Sequence, residues 1–91
     1  MSPRQTEYML EALRLRAQYF FNSVKRAEEE ILPKYDLNMA FIRLYDVCYD
    51  IAKCHSDNDY CLIYHVLKAI SKQEIFIVYY QKYIKLLAED E

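Results

Sequence analysis

The chain has 91 residues and no glycine, with 12 basic against 14 acidic side chains for a formal net charge of -2. Without glycine there is no P-loop, GxGxxG dinucleotide turn, GxSxG elbow, EF-hand loop or GXXG clamp. The near-neutral balance lacks the electrostatic footprint of a nucleic-acid binder, and 54% hydrophobic with 29% charged residues excludes disorder by composition.

The length predicts a single all-helical domain over 1–91, since tight turns that need left-handed residues are scarce without glycine. Ser2 followed by Pro3 is an N-cap and first-turn pair, so a helix is expected to begin at once. Leu10, Leu13, Ala17, Phe20, Val24, Ala27 and Ile31 recur in alternating steps of three and four. Met9, Phe21 and Leu32 widen that stripe, and Glu11, Arg14, Gln18, Asn22, Lys25 and Glu29 occupy the opposite face. Pro33 breaks the pattern, so the first helix spans 3–31, about 43 Å at 1.5 Å per residue.

Asp36 is expected to cap a second helix with its seam at Leu37, Phe41, Leu44, Cys48 and Ile51, ending near Cys54. The polar run His55-Ser56-Asp57-Asn58-Asp59 reads as a loop, with Asp59 as the next cap. From Tyr60 to Ala88, one phase of Ile63, Val66, Ile70, Gln73, Ile77, Tyr80, Ile84 and Leu87 favours one long helix. The Ser71-x-x-Glu74 capping-box pattern makes a split near Ser71 the alternative. The expected fold is therefore all-α: an antiparallel bundle of three long helices, or four if the last is divided.

Cys48, Cys54, Cys61, His55 and His65 cluster in sequence but form no CxxC or HxxxH doublet, so they are read as free thiols and boundary histidines. No metal or cofactor is expected. Asp46 and Asp50, and the run Glu28-Glu29-Glu30, lack the Glu-x-x-His companion of di-metal bundles. With no assembled nucleophile and base, the chain does not read as an enzyme.

Ten tyrosines are the informative excess, because tyrosine is enriched at protein interfaces. Tyr79, Tyr80 and Tyr83, with Lys82, are the expected partner-binding residues on the last helix. The sequence thus reads as a non-enzymatic interaction module, an accessory or inhibitor-type protein that binds another protein, as a homodimer. By class-level analogy alone, small helical chains without catalytic motifs occur among accessory proteins of viruses and mobile elements. The alternative is a dimeric nucleic-acid-binding or regulatory protein using Arg14, Arg16, Lys25 and Arg26 on the first helix. No signal peptide or membrane span is expected, and the odd cysteine count suits a reducing, cytoplasmic setting.

Overall fold

Ser2 accepts a hydrogen bond from the Gln5 backbone N–H at 3.2 Å, and its own N–H donates to Gln5 Oε1 at 3.0 Å. This reciprocal capping box, with Pro3 next in line, satisfies donors that a helix start otherwise leaves unpaired. The structure is a computed structural model describing residues 2–53 and 58–89. In it the capped helix, α1, runs Pro3–Glu29. Leu13, Ala17, Phe20, Phe21 and Val24 are buried, as their spacing predicts, while Glu11, Arg14, Gln18, Asn22, Lys25 and Glu29 are exposed. The stripe fails only at its last member: α1 ends two residues before Ile31, which is 101% exposed.

The second helix, α2 (Lys34–Ala52), follows directly from Pro33 with no side-chain cap. Asp36 therefore lies inside its first turn, where its charge suits the positive end of the helix dipole, and does not cap it. Leu37, Ala40, Leu44 and Cys48 are buried. Lys53 closes α2 in the left-handed conformation at φ 48°. Cys54, the expected end of the second helix, and His55, Ser56 and Asp57 of the expected loop lie outside the described residues.

Asn58, and not Asp59, caps α3 (Asp59–Leu67), its Oδ1 accepting from the Cys61 N–H at 3.2 Å. The single long helix expected over 60–88 is broken. A 3₁₀ turn at Lys68–Ile70 and a left-handed Ser71 (φ 56°) separate α3 from α4 (Gln73–Ala88). The Lys72 N–H donates to the Leu67 carbonyl five residues back at 3.1 Å, the Schellman pattern that usually employs glycine. The Ser71–Glu74 capping box does not form, and no side chain caps the start of α4.

This turn resets the helical phase. The buried residues of α4 are Phe76, Tyr79 and Tyr83, each one position earlier than the expected Ile77, Tyr80 and Ile84. One residue corresponds to a rotation of about 100°.

Helix directions follow from pairs of contacts. Phe20 of α1 meets Phe41 of α2 at 5.8 Å between ring centroids, and Ala27 shares a cleft with Leu37, so α1 and α2 are antiparallel. Lys34 Nζ donates to the Leu87 carbonyl at 2.9 Å, and Phe41 meets Tyr80 at 5.9 Å, so α4 is antiparallel to α2. The long helices thus run up, down and up, with α3 as a short reversed segment ahead of α4. One apolar cluster spans all four helices, and Phe20, Leu13, Leu44, Ile63, Leu67 and Phe76 lie at its centre.

Among the described residues, Lys53 and Ser71 hold left-handed backbone, which costs an ordinary residue roughly 1–2 kcal/mol. Ser71→Gly and Lys53→Gly are each expected to raise stability by about 0.5–1 kcal/mol, or about 4–8 °C in Tm per kcal/mol. Thermal denaturation checks this, and a lower Tm for both variants would contradict the turn geometry.

Candidate interaction surface

The reset phase of α4 decides where its tyrosines go. Tyr79 is buried, stacked on Phe21 at 4.9 Å, with the Lys25 and Lys82 ammonium groups 5.9 and 5.3 Å from its ring centroid. Lys82 also pairs with Glu28 across the α1–α4 contact at 3.3 Å. Tyr83 is buried too, stacked on Phe41 at 5.0 Å and edge-on to Phe20 at 5.5 Å, and its hydroxyl donates to Asn38 Oδ1 at 2.5 Å. Burial pushes its phenol pKa up to about 12. Tyr80 is half-buried among Phe41, Tyr60 and Phe76.

Tyr79 and Tyr83 are therefore core residues, and Lys82 braces two helices of its own chain. The expectation that Tyr79, Lys82 and Tyr83 form an outward partner face is corrected. The physical reason is the 100° reset, which turns the 76/79/83 seam inward and leaves Ile84 at the surface.

The basic residues of α1 do not converge either. At about 100° per residue, Arg14 and Lys25 lie within about 20° of each other, whereas Arg16 is about 160° and Arg26 about 120° from Arg14. Arg14 lies 3.9 Å from Glu11, Arg26 pairs with Glu30 at 3.0 Å, and Lys25 sits over Tyr79. Four cations spread over three sides of a helix make no single phosphate-binding stripe.

The cysteines and histidines separate as well. Cys48 is fully buried, and burial pushes its thiol pKa up to about 12, so at neutral pH it is a protonated core side chain. Cys61 and His65 are exposed on α3, and Cys54 and His55 lie outside the described residues. Among the described residues no group of three or more His, Cys, Asp or Glu side chains is placed to hold a metal ion.

The bundle does carry exposed apolar side chains that line up. On α1, Tyr8 (70% exposed), Leu15 (62%) and Tyr19 (49%) fall within about 40° of one another and about 160° from the core stripe. Ala12, partly buried, lies between them, so the steps 8-12-15-19 make a second seam on the outer side of the helix. Sequence reasoning missed it, although the spacing is as regular as that of the core stripe. A second exposed set lies on α2 and α4: Tyr35 (71%) and Ile42 (44%), seven residues apart, share one face of α2, and Ile84 (45%) follows Tyr80 by about one helical turn on α4. Isolated exposed apolar residues are ordinary, but aligned ones mark contact surfaces.

Among the described residues no helix is long and apolar enough to cross a membrane. Comparison of the chain with protein-family models, curated proteins and solved structures finds no match.

Proposed function

We propose that the chain is a non-enzymatic protein-binding module, an accessory or inhibitor-type protein that works in the cytoplasm as a homodimer and acts on another protein by contact. The observation that carries this reading is the alignment of exposed tyrosine, leucine and isoleucine side chains into two sets on different sides of one bundle. Large amphipathic aromatics with few rotors lose little entropy on contact, and tyrosine-rich surfaces are the usual chemistry of protein interfaces. Two separate sets allow a second copy on one side and a foreign partner on the other. The partner side is assigned to α2 and α4, where Ile42 follows Phe41, the ring that meets the half-buried Tyr80, and Ile84 lies about one turn beyond Tyr80.

Affinity capture from the native host tests it, comparing the wild type with Ile42→Asp/Ile84→Asp. The expected outcome is a protein retained by the wild type and lost by the variant, with circular dichroism showing the same helix content in both. Equal capture by two folded proteins would sink the assignment of this face.

A further inference from the structure

We infer that the outer stripe of α1 binds α1 of a second copy in antiparallel register, about a two-fold axis between Leu13 and Arg14. The inference rests on the reading of the chain as a homodimeric binding module and supplies the interface that reading lacks. A two-fold interface uses the same patch on both copies, so the patch must complement itself. The α1 stripe does. Gln5, Tyr8, Ala12, Leu15, Tyr19 and Asn22 follow one another in steps of three, four, three, four and three, and none is fully buried.

By chemical class the series reads amide, tyrosine, aliphatic, aliphatic, tyrosine, amide. It is therefore the same in both directions. Antiparallel pairing sets Gln5 against Asn22 of the second copy, Tyr8 against Tyr19, and Ala12 against Leu15, each pair occurring twice by symmetry. Leu15, the large aliphatic knob, meets Ala12, the smallest side chain of the stripe, which is the knob-into-hole match that helix pairing requires. A parallel register would stack Leu15 on Leu15 and leave a gap at Ala12 against Ala12.

On the flanks, Glu11 faces Gln18 of the second copy, Arg16 faces Met9 and Arg4 faces Lys25, so no ion pair drives the contact and its ends carry like charges. The three large side chains expose on the order of 350 Å² per copy, judged from their fractional exposures and ordinary side-chain areas. That is somewhat under half of the roughly 800 Å² per partner in a standard interface. With the polar flanks added, the contact is that of a micromolar dimer, which added salt does not weaken.

Sedimentation velocity on the full chain, from low to high micromolar concentration, tests the register. The wild type is expected to dimerise, and Leu15→Glu to weaken association about a hundredfold, because a carboxylate is buried against alanine with no partner. Ala12→Lys is expected to dissociate likewise. The double variant Ala12→Lys/Leu15→Glu should dimerise again, since each glutamate then meets a lysine of the other copy, and mixing the two single variants should yield a heterodimer. Circular dichroism checks that every variant is folded, Leu15 being exposed and Ala12 only partly buried.

A monomeric wild type, or a Leu15→Glu variant as dimeric as the wild type, would overturn the proposal. So would monomeric single variants that the double variant does not restore, since that excludes the antiparallel register. Capture of a foreign partner through the α2–α4 face is measured separately, so failure of the dimer and failure of the binding reading give different results.

Discussion

Phe20→Ala is expected to cost about 3–5 kcal/mol of unfolding free energy, the usual loss when a buried phenylalanine is emptied from a core. Phe20 is fully buried, and its ring meets Phe41 of α2 at 5.8 Å, Phe76 of α4 at 6.0 Å and Tyr83 of α4 at 5.5 Å. It is therefore the side chain through which α1 touches both helices that pack on it. Small domains are stable by about 5–15 kcal/mol in total, so this one deletion removes a large share and lowers Tm by well over 10 °C. Urea denaturation monitored by circular dichroism measures it. Leu15→Ala is the control: an exposed aliphatic on the same helix should change monomer stability by no more than about 0.5 kcal/mol. If the two variants unfolded at the same urea concentration, the core as described would be wrong.

The second large effect concerns Tyr83. Tyr83→Ala removes an aromatic ring held between Phe20 and Phe41 and should cost about 3–5 kcal/mol. Tyr83→Phe keeps the ring, leaves Asn38 Oδ1 without its hydroxyl donor, and should cost about 1–2 kcal/mol. The same residue makes stability fall in alkali. Burial raises the Tyr83 phenol from 10.0 to about 12 and the Cys48 thiol from 9.0 to about 12.

In both cases the neutral form is favoured in the folded state. Below the ordinary values, folded and unfolded chains hold the same protons and pH has no effect through these groups. As pH rises through 9.0 and then 10.0, the unfolded chain loses those protons while the folded chain keeps them. Stability therefore declines progressively until pH reaches about 12, where the folded-state groups ionise too. Urea midpoints measured at several pH values across that window should fall steadily, and less steeply for Tyr83→Phe. A flat profile would show that neither group is buried as described.

Much of the candidate surface was legible in principle. The steps of three and four through Tyr8, Ala12, Leu15 and Tyr19 stand in the sequence as plainly as those through Leu13, Ala17, Phe20 and Val24. They were obscured because Glu11, Arg14, Gln18, Asn22 and Lys25 define an unmistakably polar face of the same helix. Two apolar stripes on one helix cannot be ranked as core and surface by periodicity alone. A longer run, from Leu10 to Ala27 and free of tyrosine hydroxyls, favours the first, and packing against α2 and α4 confirms it. For Tyr79 and Tyr83 no comparable signal existed. Their positions depend on a turn that the sequence does not mark with glycine or proline.

What the sequence by itself determined is the helical class, the capped start at Ser2, the break at Pro33 and the inward faces of α1 and α2. On α1 and α2 the longest apolar stripe marks the core side, and at Ser2 and Pro33 a single residue sets the local backbone. Only the tertiary structure decided the orientation of α4. A helix carrying Ile75, Phe76, Ile77, Val78, Tyr79 and Tyr80 in succession is apolar on most of its circumference, so its own periodicity prefers no face. The choice is made where Ser71 takes a left-handed conformation. The cost, on the order of 1 kcal/mol, is outweighed by placing Phe76, Tyr79 and Tyr83 against Phe20, Phe21 and Phe41.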